Sequence, residues 1–370
     1  SPWYSRTAMH ELFGQLDQLK HSEEKVALAT LVNTRGTTPR KEGAKMLVGA
    51  GGRILGSVTI GGCVDAQVIA EAEEVLGENV PKLLELNLGD EEAWEIGLTC
   101  GGTIEVFVES VELDRAAAPP LAYYERLRAH AEQGGRGVLI TRLDGPNHGA
   151  KFLLLDSGQS EGTLGDPFLD RRFSAEAQEC LTRGLSRTLF LEGIRCFVEA
   201  FGPVATLLVV GAGHVAMPLV SLANVVGFRT IVVDGRPRFA NRERFPEAHR
   251  LEVGIPSELV KAIPLTPVTA LVLVAHDYKY DLPVLRHALA SPVGYIGMLG
   301  STRRGTAILN LLREEGVSEE LLARVRVPIG MDLGAQSAPE IALAILAEIL
   351  AERTGASGMP ISRKIREGNR

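Results

Sequence analysis

The run Thr206-Leu207-Leu208-Val209-Val210 passes without a break into Gly211-Ala212-Gly213-His214-Val215-Ala216. Uncharged, β-prone residues in a row read as a strand buried on both faces. The spacing that follows, G-x-G-x-x-G/A, is the turn of a phosphate-accepting βαβ unit. Its first glycine permits the tight turn, its second lets a pyrophosphate reach the backbone, and its small third residue lets helix pack on strand. The helix start adds N–H groups and the positive end of the helix dipole. Asp234 closes the next strand, 23 residues after Gly211, where a carboxylate accepts from an adenine ribose 2′-hydroxyl. The pattern predicts a Rossmann-like, doubly wound parallel sheet with Gly211, Gly213, His214 and Asp234 at a nucleotide or phosphate-ester site. A fold of this kind that has lost its dinucleotide has the same texture, and Arg236 does not decide between NAD and NADP.

The remainder of the second half keeps that rhythm. Strands at 229–233, 269–275, 294–297 and near 326–329 alternate with helices at 214–226, 281–290, 303–315 and 338–353, which is the signature of a parallel sheet. Gly202-Pro203 marks a boundary, so the Rossmann-like domain is expected at 203–353, with a tail at 354–370. Open α/β sheets bind ligands at the carboxyl ends of their strands. Two such ends carry chemistry, Ala275-His276-Asp277 and Gly300-Ser301-Thr302-Arg303-Arg304. His276 and Arg303 are therefore candidate contacts, set against a loop cap for the first and a solvated helix start for the second.

Residues 1–202 read as an α+β domain, with a possible subdivision near 113–120. Helices are expected at 9–19, 64–76, 121–133 and 174–182. Strands are expected at 26–32, 44–48, 53–60, within 81–97 ahead of a Glu-rich connection, and at 103–109, 137–142, 151–155 and 194–200, with a polar loop at 156–172. Its oddest features are Gly61-Gly62-Cys63 and Cys100-Gly101-Gly102. A thiol where a helix begins is stabilised as thiolate by the dipole, and paired glycines leave room for a bulky ligand. Thiolates suit soft metals such as molybdenum. A zinc site is poorly supported, since the 37-residue separation is no CxxC pair and no histidine accompanies either thiol. The plainer reading of any isolated cysteine is a small buried hydrophobe, and it fits Cys180 and Cys196 best.

Composition narrows the function classes. The formal charge is −7, divided as −10 over residues 1–202 and +3 over 203–370. Arg363-Lys364-Ile365-Arg366 is the densest basic run, too short to argue for nucleic acid. The uncharged stretch Ala200–Phe228 is interrupted by Pro203, His214, Pro218 and Asn224, so no membrane span is expected. Few cysteines and no signal pattern point to a cytoplasmic chain.

Several motifs in order resemble one family. Gly36-Thr37-Thr38-Pro39-Arg40, Gly43-Ala44-Lys45-Met46-Leu47-Val48, Gly61-Gly62-Cys63-Val64-Asp65, Leu98-Thr99-Cys100-Gly101-Gly102, the Gly211–Ala216 loop and Tyr295-Ile296-Gly297-Met298-Leu299-Gly300-Ser301 look like the xanthine dehydrogenase accessory family (XdhC/CoxI type). The likeness spans nearly the whole chain. It implies a chaperone that binds molybdenum cofactor (molybdopterin), protects it while a cysteine desulfurase adds the terminal sulfido ligand, and passes it to a molybdenum hydroxylase of xanthine dehydrogenase type. It also implies a homodimer. Carried over, Cys63 and Cys100 would contact the cofactor or its molybdenum, with Gly61, Gly62, Gly101 and Arg40 beside them. Gly211 and Gly213 would take a phosphate or nucleotide, NAD(P) included. Asp65 stands where relatives often carry Glu.

Two other classes compete. An NAD(P)-dependent oxidoreductase would use His276 or His214 as acid/base, and no motif compels that pair. A thiol redox protein would need Cys63 and Cys100 within disulfide reach, Cα atoms about 7 Å apart or less.

Overall fold

A computed structural model describes residues 6–19, 22–36, 38, 40–59, 63–88, 102–114, 118–275 and 278–362. The chain divides into two compact units between Pro203 and Val204.

The first unit holds two antiparallel five-stranded sheets. Strands β1 (Lys25–Arg35), β2 (Lys45–Gly49), β3 (Ile54–Gly56), β4 (Lys82–Asn87) and β5 (Thr103–Glu112) form one, in the order β3-β2-β1-β5-β4. Strands β6 (Gly137–Arg142), β7 (Lys151–Leu155), β8 (Ser160–Gly162), β9 (Arg187–Leu191) and β10 (Ile194–Phe201) form the other, in the order β8-β7-β6-β10-β9. The two orders are the same once five is added to each number. Helices Arg6–Leu19 and Cys63–Glu78 accompany the first sheet in sequence, and Leu121–Glu132 and Pro167–Arg183 stand at the matching places of the second.

The likeness extends to register. Thr30 lies opposite Lys45 as Thr141 lies opposite Lys151, and Leu28 opposite Glu109 as Leu139 opposite Glu199. Gly56 and Gly162 both have positive φ (76° and 87°). A Cβ on them would come 2.6 Å from the Lys45 carbonyl oxygen and 2.4 Å from that of Lys151. Helix positions Val68, Ala72 and Val75 are buried as Phe173, Ala177 and Cys180 are. The first unit is therefore an internal duplication. Reciprocal contacts give its symmetry. Lys45 Nζ donates to Thr30 Oγ1 (2.9 Å) and pairs with Glu199 (2.9 Å) of the other half. Lys151 Nζ donates to Thr141 Oγ1 (2.9 Å) and pairs with Glu109 (2.9 Å). When residue i meets j′ and i′ meets j, the two halves are related by a two-fold operation. Val32, Phe107, Leu143 and Phe197 pack into one cluster drawn equally from both halves.

The second unit carries a parallel six-stranded sheet. Its strands are β11 (Thr206–Val210), β12 (Arg229–Asp234), β13 (Arg250–Val253), β14 (Thr269–Leu273), β15 (Tyr295–Met298) and β16 (Val325–Arg326), ordered β13-β12-β11-β14-β15-β16. That is the 3-2-1-4-5-6 arrangement of doubly wound folds, with the strand order reversing between β11 and β14. Alternate residues of β11 enter two apolar cores: Leu207 and Val209 join one, Leu208 and Val210 the other. The final helix, Ala338–Thr354, opens on a capping box between Ser337 and Glu340.

Local differences from the sequence reading have simple causes. The expected polar loop at 156–172 contains β8 and the start of helix Pro167–Arg183, because Asp166 caps that helix on Phe168 N–H (2.8 Å) with Pro167 in its first turn. The strand expected at 53–60 ends at Gly56, where positive φ breaks the extended run. β9, β13 and helix Pro256–Lys261 are additional to the elements expected from sequence.

Candidate functional site

In the second unit the loop after β11 turns at Gly211, whose φ is 108°. A Cβ there would lie 2.5 Å from Ala275 N. Gly213 differs: a Cβ on it would meet nothing within 4 Å. The two glycines therefore serve different ends, one to let two strand ends pass and one to keep open space. Helix Ala216–Val225 follows, and its cap residue Val215 makes no side-chain cap bond.

A cavity of about 550 Å³ opens at this point, within the size range of small-molecule sites. It is lined by the ends of β11 and β12 and the residues just after β14: Val210, Gly211, Gly213, Asp234, Val274 and Ala275, with Arg236 and Phe239 among others. Its place beside the strand-order reversal is where open α/β sheets take ligands.

Asp234 is 4% exposed and its acceptors are engaged. Oδ2 accepts from Ala212 N–H (2.7 Å) and Arg236 Nη2–H (2.8 Å). Oδ1 accepts from Arg236 N–H (2.8 Å) and Nε–H (2.9 Å). Burial alone would raise the carboxyl pKa; the Arg236 side chain and the two backbone N–H groups more than offset it, leaving it below the ordinary value. A depressed carboxyl contributes stability above its unfolded-state pKa and loses it as pH falls through the folded one. Asp234→Asn is thus expected to lose less stability than wild type between pH 5 and about pH 2, read from urea midpoints; parallel curves would contradict this.

The glycine contrast gives a second prediction. Gly211→Ala is expected to destabilise the second unit by about 2–4 kcal/mol, from positive φ plus backbone contact. Gly213→Ala should melt within about 0.5 kcal/mol of wild type and weaken any ligand whose phosphate approaches that backbone. Equal melting of the two variants in thermal denaturation would refute the distinction.

Other sequence candidates fall elsewhere. His214 is exposed beside the loop and does not line the cavity. Arg303 is exposed in the first turn of helix Thr302–Glu314, which Ser301 caps on Arg304 N–H (3.3 Å). Its neighbour Arg304 pairs with Asp281, which is fully buried (2.8 Å). His276 lies outside the described residues, as do Gly61, Gly62, Cys100 and Gly101.

In the first unit, Cys63 is the first residue of helix Cys63–Glu78. Asp65, in the same first turn and 8% exposed, accepts from Ser57 Oγ (2.5 Å) and Thr59 Oγ1 (3.1 Å). It thereby pins the chain just ahead of the Gly-Gly-Cys segment. The second copy has the same clasp, Asp170 accepting from Thr163 Oγ1 (2.8 Å) and Leu164 N–H (2.6 Å). In sequence Asp65 stands out only as a departure from a motif; an acid in a helix's first turn with hydroxyls upstream is the usable signal. Arg40 is half-buried between β1 and β2, and its carbonyl accepts from Thr38 Oγ1 (3.1 Å).

Cys180 and Cys196 are buried free thiols. Burial raises the Cys180 pKa and pushes that of Cys196 up to about 12, so neither is a thiolate near neutrality. Among the described residues there is no group of three or more potential metal ligands, and no helix is long and apolar enough to cross a membrane.

Sequence profiles of two domains match the chain in order. The XdhC and CoxI family profile covers residues 19–87, and the XdhC Rossmann domain covers 207–349. The chain belongs to the XdhC and CoxI family. The XdhC and CoxI match ends with β4, inside the first copy of the duplication, and the XdhC Rossmann match embraces the cavity. A crystal structure described as that of a xanthine dehydrogenase from Bacillus halodurans has the same architecture, with TM-score 0.74 and 26% identity over 94% of this chain and 96% of that one. The chain is 27% identical to a probable xanthine dehydrogenase subunit of Bacillus subtilis, over 91% of its own length and 96% of the relative's. It is 29% identical to the molybdenum cofactor insertion chaperone PaoD of Escherichia coli, over 88% and 83% respectively.

Proposed function

We propose that this XdhC-type chain is a maturation factor that holds molybdenum cofactor and delivers it to a molybdenum hydroxylase. The observation that carries this reading is an asymmetry within a symmetric unit. The second copy opens its helix on an ordinary Asp166-Pro167 cap. The first opens the matching helix after Gly61-Gly62 at Cys63. The shared fold does not call for two glycines and a thiol there, so a ligand is the better reason for them. Cys63 opens a 16-residue helix, and cysteine sulfur is a fitting donor toward molybdenum or its sulfur. Cys100 with Gly101 is assigned to the same task by its motif, and Arg40 by its loop. The names borne by the Bacillus and Escherichia relatives support the cargo and the recipient class. In this reading a cysteine desulfurase supplies the terminal sulfur while the cofactor is held, and the working form is a homodimer.

The Rossmann cleft supports a second role, nucleotide binding, which the cavity at the β11/β14 reversal favours. Purified chain from a host making molybdenum cofactor should activate a purified apo-hydroxylase of xanthine dehydrogenase type, and Cys63→Ser should lower that activation at least tenfold. Equal activation by both proteins would remove Cys63 from the mechanism; activation by neither would remove the delivery role.

A further inference from the structure

We propose that the Rossmann cleft selects a nucleotide whose ribose bears a phosphomonoester over one with a free 2′,3′-diol, and that Arg236 sets this choice. The inference deepens the nucleotide reading of the cleft and rests on it. In a diol-binding site the carboxylate closing the second strand accepts from the ribose hydroxyls. Here that carboxylate is Asp234, with about four lone-pair sites against four donors, Ala212 N–H and the N–H, Nε–H and Nη2–H of Arg236. A ribose hydroxyl would have to displace one of them and leave a poorly accessible donor unpaired.

The charge at the rim favours phosphate. The Arg236 side chain is 55% exposed while that of its partner Asp234 is 5% exposed, so the neutralised carboxylate sits behind the guanidinium. The guanidinium carbon lies 4.1 Å from the centroid of the Phe239 ring, and that of Arg244 lies 4.9 Å from the same ring. Asp234 and Phe239 thus hold Arg236 in one place before any ligand arrives, and both it and Phe239 line the cavity. Arg238 is exposed on the same loop. A pre-positioned guanidinium with a second one nearby recognises a phosphate dianion well, whereas a neutral diol gains little from it.

The test is calorimetric titration of the full chain with 2′-phospho-ADP-ribose and with ADP-ribose at equal ionic strength. The phosphorylated ligand should bind at least tenfold tighter, by a margin that narrows as salt is raised. Arg236→Gln should abolish or invert the preference, since it removes the cation and releases Asp234 acceptors. Arg236→Lys, which keeps the cation beside Asp234, should retain a preference of the same sign and so guards against a misfolded first variant. ADP-ribose binding as tightly as its 2′-phosphate in wild type, or binding of neither, would overturn the proposal. Cofactor loading through Cys63 is read by a different assay and is untouched by either result.

Discussion

Gly61→Asp combined with Gly62→Pro and Cys63→Phe is expected to leave the first unit folded and to abolish the proposed hold on molybdenum cofactor. The triple variant writes the second copy's helix entrance, Asp166-Pro167-Phe168, into the first copy at Gly61-Gly62-Cys63, in the register that the Asp65 and Asp170 clasps share. Asp at a helix cap contributes about 0.5–2 kcal/mol over a non-capping residue, though only a few tenths over glycine. Proline at the first helical position removes unfolded-state freedom worth about 0.4–1 kcal/mol where its φ fits. The melting temperature should therefore hold or rise slightly, while oxidised-pterin fluorescence of the purified protein falls to background. Cys63→Ala serves as the less intrusive companion, with the same loss of pterin. A variant that fails to fold would mean the glycine pair is structural and that the two copies are not interchangeable there. A variant that folds and keeps its pterin would free Cys63 from any ligand role.

The second large effect concerns the buried reciprocal ion pairs. Lys45 is 1% exposed; burial lowers its pKa and the Glu199 charge opposes that shift. Lys45→Met would strand Glu199, itself 6% exposed, as an uncompensated charge between the sheets. Breaking a buried pair by removing one partner costs about 3–5 kcal/mol, whereas replacing both partners by apolar residues is often neutral. Lys45→Met should thus lower the melting temperature by roughly 6–20 °C for a unit of this size, and Lys45→Met with Glu199→Leu should recover most of it. The two-fold relation adds a sharper expectation: Lys151→Met should cost the same within about 1 kcal/mol, because Glu109 is stranded in the equivalent setting. Tryptophan fluorescence is a suitable readout, since Trp3 and Trp94 both lie in the first 202 residues. A cost below about 1 kcal/mol for either single variant would contradict the account of these pairs.

The parallel sheet is the most legible part of the molecule, because continuous apolar strands, a glycine turn and helical periods repeat along one direction of chain. The elements that sequence does not reveal there, β13, helix Pro256–Lys261 and helix Glu319–Leu322, have four, six and four residues, too few for a period to register. In the first unit, β8 is hidden because Ser160, Glu161 and Gly162 are all exposed, so no alternation marks them. The Asp166-Pro167 cap is readable in principle, although the polar residues around it look like loop. So is the duplication: Gly-Ala-Lys-x-Leu stands at 43–47 and again at 149–153, and Phe-Val-Glu at 107–109 and again at 197–199. These repeats sit where a lysine from one copy meets a glutamate from the other.

Of the candidate site, Gly211, Gly213 and Asp234 follow from spacing, and they do converge on one cavity. Their division of labour is not legible, since the open side of Gly213 depends on what packs nearby. Nor is the clamp on Asp234 by Arg236: a partner two residues away is unremarkable in sequence, and only the turn after β12 brings the guanidinium back onto the carboxylate. Arg303 and His214 are plausible by position alone, and exposure away from the cavity separates them from it.

The most direct test of the delivery role is the molybdenum and oxidised-pterin content of the full chain purified anaerobically from a host that makes the cofactor. Molybdenum and pterin should be present in equal amounts, approaching one of each per chain because only one copy of the duplication carries a Gly-Gly-Cys entrance. Protein that folds normally yet carries neither, whether expressed alone or with a recipient apo-hydroxylase, would contradict the delivery role.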